Sequence, residues 1–124
     1  MPTVAILGAS RNRSKYGNRA VRAYLKRGYT VYPVHPSAPT IEGQPAYRSV
    51  LEVPAAELDR ITIYLPPSVS APILEEVARK PAKEVWFNPG ADGPDVVRKA
   101  RELGLNVMTG CSIVDIGVSP YELD

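Results

Sequence analysis

Val4-Ala5-Ile6-Leu7 is a short unbroken apolar run that stops at Gly8. A run without alternation predicts a strand covered on both faces, as in a parallel sheet. Gly8 to Gly17 is polar, basic and turn-rich, and Ala20, Val21, Tyr24 and Leu25 then recur at helical spacing up to Gly28, which sits where a C-terminal cap glycine belongs. Thr30 to Val34 reads as a second strand, with Pro33 favouring a strand end or an irregular edge. His35 to Tyr47 reads as a loop, and Ser49 to Val53 as a short helical turn. Ile61 to Leu65 is the third strand, stopped by Pro66-Pro67. Ser68 then caps a predicted helix over 69–79, with Ile73, Leu74, Val77 and Ala78 inward. Glu84 to Asn88 is the fourth strand, with Trp86 and Phe87 on opposite faces as core residues. A helix starting at Asp92-Gly93-Pro94 ends at Gly104, and Asn106 to Thr109 is the fifth strand. The tail from Gly110 onward has no clear period.

Strands alternating with helices predict βαβ units and right-handed crossovers. The expected fold is therefore α/β: a Rossmann-like three-layer sandwich with a five-stranded, mainly parallel sheet and the first strand in the middle. The 124 residues suit one domain, spanning 1–124. In such a sheet ligands bind beyond the carboxyl ends of the strands, at the switch point in strand order. The segments at those ends are Gly8–Gly17, Val34–Ser37, Leu65–Ser68, Asn88–Asp92 and Thr109–Cys111.

The charge pattern sharpens that expectation. The formal net charge is only +2, but no acid precedes Glu42, so the first 41 residues carry +7 and the rest −5. Exposed amides and a helix N-terminus attract phosphate, and Arg11, Arg13 and Lys15 surround that point in the first loop. Arg22, Lys26 and Arg27 lie a turn or more away and read as solvated helix surface. The dinucleotide fingerprint GxGxxG is not met, because Ser10 replaces its second glycine and Gly17 comes too late. NAD-binding domains place an acid at the end of the second strand for the ribose; here that place holds Val34-His35-Pro36. NAD is disfavoured, and a nucleotide with an additional phosphate on its ribose, NADP or coenzyme A, fits better.

Gly8-Ala9-Ser10-Arg11-Asn12, Lys15-Tyr16-Gly17-Asn18 and Gly28-Tyr29-Thr30-Val31-Tyr32-Pro33-Val34-His35-Pro36 resemble the small single-domain bacterial CoA-binding proteins. These are similar to the N-terminal CoA-binding domain of the succinyl-CoA synthetase alpha subunit. The resemblance continues through Asp59–Pro67, Val85-Trp86, Gly90, Ala100–Leu105 and Cys111. It implies a Rossmann-type fold with CoA laid across the strand ends. Gly8, Ala9, Ser10 and Arg11 would line the phosphate loop, completed by Lys15, Tyr16 and Gly17. Val34, His35 and Pro36 would flank the adenosine end, and Leu65, Pro66 and Pro67 would contact the nucleotide. Asn88, Pro89 and Gly90 would lie toward the pantetheine arm. The chain departs from the family in having His35 for a usual Asn, Asn88-Pro89-Gly90 for Gln-x-Gly, and Asp115 near a common Glu. CoA carries roughly −3.5 to −4, counting its pyrophosphate and a monoester, which the basic first segment could meet.

Catalytic constellations are thin. His35 is the only histidine and reads as a loop residue beside the ligand. No nucleophile elbow, metal-ligand cluster or paired carboxylates stand out. Cys111 reads as a small half-buried residue at a strand end; a mixed disulfide with the cofactor thiol is the sharper alternative. The expected function is a non-catalytic protein binding CoA or an acyl-CoA. The alternatives are an NADP-dependent oxidoreductase or reductase subunit, and, further back, a nucleic-acid binder, for which a recognition helix and an aromatic platform are lacking. The chain begins directly in an apolar strand, holds one cysteine and has no membrane-length apolar run. Those features predict a cytoplasmic protein without membrane contact. The few thermolabile residues and 13 prolines lean toward a heat-adapted source. The apolar tail (Ile113, Val114, Ile116, Val118) suits pairing with a second copy or a partner enzyme subunit.

Overall fold

The computed structural model describes residues 1–123. Its main sheet holds five strands: β1 (Thr3–Leu7), β2 (Thr30–Val34), β5 (Leu58–Ile63), β6 (Ala82–Phe87) and β7 (Val107–Thr109), in the order β2-β1-β5-β6-β7. All neighbours are parallel. The first strand is therefore next to an edge, and β5 takes the middle position expected for it. The chain reverses across the sheet only once, after β2, and then lays β5, β6 and β7 successively on the other side. The switch point falls between β1 and β5, where neighbouring crossovers diverge.

The unbroken apolar pattern of β1 has the expected cause, since both faces are covered. Val4 and Ile6 are fully buried beneath α1 (Tyr16–Lys26), against Ala20, Val21 and Tyr24. Ala5 and Leu7 face the opposite layer, where α3 (Leu74–Arg79) and α4 (Pro94–Glu102) cover Ile61, Ile63, Val85 and Phe87. Burying such side chains contributes about 1.5–3 kcal/mol each, which is why the two apolar stripes fix the three-layer arrangement.

Three local expectations change. The segment 35–47 contains a small antiparallel hairpin, β3 (Thr40–Ile41) and β4 (Gln44–Pro45), turning through Glu42 and Gly43 in the left-handed region. The helix expected over 69–79 is broken. It starts as α2 (Pro67–Ser70), tightens to a 3-10 turn at Ala71–Ile73 and resumes as α3. Pro72 is the cause: it has no N–H to donate to Ser68, and its ring crowds that carbonyl. Pro66, not Ser68, takes the N-cap position. Finally, β5 and β6 begin earlier than expected, because Leu58 pairs with Ala82. They also end earlier, leaving Tyr64, Leu65 and Asn88 at the rim. The turn at Val50–Glu52 forms as expected, capped by Ser49.

Pro33 lies in β2 at the sheet edge. Its carbonyl accepts from Tyr47 N (2.9 Å), while His35 N donates to Tyr47 O (2.8 Å). The missing Pro33 donor thus faces away from β1 and costs the sheet no bond.

The tail forms α5 (Ser112–Asp115) and a 3-10 turn at Pro120–Leu123. It folds across α1 and is pinned there by residues that the sequence had assigned to solvated surface. Arg27 donates to Ile116 O (2.9 Å) and Gly117 O (2.5 Å). Arg22 donates to Leu123 O, and Lys26 pairs with Glu122 at 3.5 Å. The two guanidinium groups are thus engaged by backbone carbonyls and the Lys26 ammonium by a carboxylate. Ile113 and Val118 are buried in the same layer, so of the four tail residues only Val114 is strongly exposed. Replacing Arg22 and Arg27 together with alanine should speed amide exchange across 117–123 by about tenfold or more, the worth of lost charge-assisted bonds. Exchange at the parent rate would show that the guanidinium–carbonyl bonds do not hold the segment.

Candidate functional site

The carboxyl ends of the strands enclose a cavity of about 900 Å³. Its walls bring together Gly8, Ala9 and Ser10 after β1 with Lys15, Tyr16 and Gly17 at the start of α1. His35 and Pro36 follow β2, Leu65 and Pro66 follow β5, and Asn88, Pro89 and Gly90 follow β6. Tyr64, Ala91, Cys111, Val114, Pro120 and Tyr121 also line it, and sequence reasoning did not place them there as a group. A smaller hollow of about 290 Å³ adjoins, sharing Gly8, His35, Pro36 and Leu65 and adding Val34. Of the expected site residues, Arg11, Arg13 and Pro67 line neither. Pro67 is turned toward the start of α4, where a Cβ on Gly93 would meet its ring at 3.0 Å.

The loop after β1 is shaped by two glycines. Gly8 has φ +87, and a Cβ there would lie 2.8 Å from Tyr64 O. A Cβ on Gly17 would lie 2.0 Å from Gly8 O, so the helix start is pressed against the strand end. The N-cap of α1 is Lys15, with no side-chain cap and no acid in the first turn. The positive end of this 11-residue helix therefore lies at the cavity, which Tyr16 and Gly17 line, with no acid in its own first turn.

The basic residues of the loop divide in space. Arg11 donates from Nε to Thr40 O (3.0 Å), tying the loop to the hairpin. Arg13 pairs with Glu42 at 2.9 Å. The other Glu42 oxygen accepts from Nδ2 of buried Asn18 (3.1 Å), which also donates to Ser10 O (2.8 Å). The first acid of the sequence thus returns to the acid-free segment and neutralises part of it. Of the three basic residues of this loop, only Lys15 lines the cavity. Asn18 belonged to the quoted motif, yet its role as the clasp between loop and hairpin needs the fold.

The far end rests on a buried polar network. Asn88 donates to Thr62 Oγ1 (2.7 Å) and Ile63 O (2.9 Å), and its Oδ1 accepts from Ser112 N (2.9 Å). Ser112 Oγ lies 2.8 Å from Thr62 Oγ1 and 3.2 Å from the Tyr64 hydroxyl. The polar head of Asn88 is thereby spent on the fold. Burial pushes the Tyr64 phenol well above its ordinary pKa, so it stays neutral. Asp115 is engaged elsewhere, pairing with Arg60, which also meets Glu84 at 3.0 Å and covers the Trp86 ring at 4.8 Å.

His35 Nδ1 accepts from Ser37 N (3.0 Å) and Ala38 N (2.8 Å), so the ring proton sits on Nε2. Tyr16 and Tyr121 face each other at the mouth; their contact raises the Tyr16 pKa from the phenol value. Among the described residues no carboxylate lines the larger cavity, and no group of acids, His and Cys could hold a metal ion. None of the described helices is long and apolar enough to cross a membrane.

Comparison with known proteins agrees with the geometry. The chain is 34% identical over 85 residues to the ADP-forming 4-hydroxybutyrate–CoA ligase of Nitrosopumilus maritimus, a match covering 67% of this chain and 12% of the ligase. The chain thus spans about an eighth of that relative's length. A conserved hypothetical protein from Pyrococcus furiosus superposes with a TM-score of 0.82 at 33% identity, covering 93% of this chain and 99% of that one. The dinucleotide-forming acetyl-coenzyme A synthetase 1 of Korarchaeum cryptofilum, in complex with phosphate and ADP, superposes with a TM-score of 0.73 at 26% identity over 86% of this chain and 25% of that one. The sequence pattern described as "CoA binding domain" matches residues 2–117, and the chain belongs to that family.

Proposed function

We propose that the chain binds coenzyme A or an acyl-CoA across the strand ends and carries no catalytic step of its own. The observation that supports this best is the position of the cavity. In a chain of this family it runs from an uncapped helix N-terminus, with Lys15 beside it, to the mostly apolar wall at Gly90, Cys111 and Val114. The pyrophosphate would sit on the amides of the Gly8–Gly17 loop, where anions are stabilised by helix start and lysine together. Val34, His35 and Pro36 would flank the adenosine, and the pantetheine would run toward Pro89 and Gly90. Leu65, which lines both hollows, and Pro66, which lines the larger one, would support the nucleotide.

Two observations support a binding role over catalysis. Among the described residues the larger cavity has no carboxylate to act as base, and Tyr64 is held neutral. The relatives with stated activities are much longer ligases, so this chain corresponds to a portion of them. It would act by presenting its ligand, alone, as a pair of copies or to a partner enzyme subunit.

Calorimetric titration tests the reading. CoA should bind, and neither NADP nor a short DNA duplex should bind comparably. No heat with CoA up to millimolar concentration, together with clear NADP binding, would replace the reading by that of an NADP-dependent oxidoreductase.

A further inference from the structure

Glu42 occupies a backbone position that its residue type disfavours. The hairpin pairs Ile41 with Gln44 and turns through Glu42 and Gly43, with φ +50 and +76. Positive φ at both central positions is the type I′ arrangement, for which Asn-Gly is a usual pair. Among the described residues Glu42 is the one non-glycine with positive φ. A glutamate is strained there unless its surroundings hold it. The base of the hairpin is fixed: Ile41 is buried in the layer of α1, and Ala46 N donates to Pro39 O at 2.9 Å. From this base, side-chain bonds cross to the Gly8–Gly17 loop. Glu42 meets Arg13 at 2.9 Å and Asn18 at 3.1 Å, and Asn18 in turn holds Ser10 O at 2.8 Å. Arg11 reaches Thr40 O at 3.0 Å. An asparagine would settle the turn, but its side chain is one methylene shorter.

We propose that Glu42 is a positioning residue for ligand binding: from its strained turn, the carboxylate holds the Gly8–Gly17 loop in the shape that receives the ligand's phosphates. This rests on the CoA reading above and deepens it. Glu42 lines neither hollow, so it acts through Arg13 and Asn18 and not by contact with the ligand. A loop bounded by two glycines has much backbone freedom to lose on ordering. A ligand that meets the loop already ordered binds more tightly, because that loss is not subtracted from its contacts. The bonds from the hairpin fall at Ser10, Arg13 and the first turn of α1, on both sides of the amides that face the phosphate. Arg11 and Arg13 are then ties between loop and hairpin. Lys15 is left as the loop's cation at the cavity. The strain at Glu42 has a reason in this arrangement: reach across to the loop is kept where a shorter residue would suit the turn better.

The experiment compares Glu42→Asn and Glu42→Gln with the parent protein. It reads the thermal midpoint, CoA affinity by calorimetry, and amide exchange of the ligand-free chain over 9–14. Asn suits the turn but falls short of Arg13 and Asn18. The ion pair it gives up is exposed on the arginine side and adds little to stability. The Glu42→Asn midpoint should therefore lie within about 2 °C of the parent's or above it. Its CoA affinity should fall about tenfold, and exchange over 9–14 should quicken by a similar factor. Gln keeps the reach and one accepting oxygen, so its affinity should stay within about threefold of the parent's. A residue that only supported the fold would move stability and affinity in the same direction. Glu42→Asn binding CoA as tightly as the parent overturns the assignment and leaves CoA binding intact. So does a Glu42→Asn midpoint that drops by about 5 °C or more along with the affinity. A parent protein that binds no CoA overturns the CoA reading and this assignment together.

Discussion

Replacing Gly17 with alanine is expected to lower the thermal midpoint by about 10 °C or more, a loss of about 3 kcal/mol or above. The added methyl would sit 2.0 Å from Gly8 O, and neither partner can rotate away because both are backbone. Relief requires lifting the first turn of α1 off the end of β1. That move opens the layer formed by Ala20, Val21, Val4 and Ile6 and widens the loop that receives the ligand. Gly28→Ala is the matched control: its φ is +82, but nothing lies within 4 Å of the added methyl. That variant should cost only the left-handed conformational penalty, about 1–2 kcal/mol. Thermal unfolding followed by circular dichroism reads both. A Gly17→Ala protein melting within a degree or two of Gly28→Ala would mean that the close approach is not enforced.

Asn88→Ala should destabilise the fold by about 2–4 kcal/mol in urea unfolding, because it strands several buried groups at once. Thr62 Oγ1 and Ile63 O lose a donor, and Ser112 N loses its acceptor. Ser112→Ala, which keeps that backbone donor and removes only a hydroxyl, should cost less. The larger loss also has a local readout. Ser112 begins α5, directly after Cys111, so freeing it should raise the rate at which a thiol reagent modifies Cys111. A cost below about 1 kcal/mol with an unchanged thiol rate would show that the network merely accompanies the packing.

Much of this was legible in the sequence, for physical reasons that differ by residue. The unbroken Val4–Leu7 run and the helical spacing of Ala20, Val21 and Tyr24 are direct images of burial, and both elements form there. Gly8, Ser10, Lys15, His35 and Gly90 could be assigned to one site because strand ends in such a sheet converge. Strand order was harder to read: local periodicity carries no information on which side of β1 a later strand is laid. The break at Pro72 could have been read from the proline alone, had it been weighed against the apolar stripe through Leu74 and Val77. What stayed hidden depends on side chains distant in sequence. Glu42 meeting Arg13 and Arg27 meeting Ile116 O are products of chain crossing. The same holds for Asn88, whose place in the site was expected but whose amide turned inward to the network.

The arrangement around Pro33 bears on how copies of this chain can meet. An exposed outer strand is a template on which another chain can continue the ladder. On one side of this sheet, the outward carbonyl of Pro33 and the amide of His35 are already taken by Tyr47, and Pro33 has no donor to give. On the other side, β7 offers only three residues. Both borders are thus blunted against edge-to-edge growth. Any contact between two copies would therefore form through surfaces other than a continued ladder, the helical layers among them.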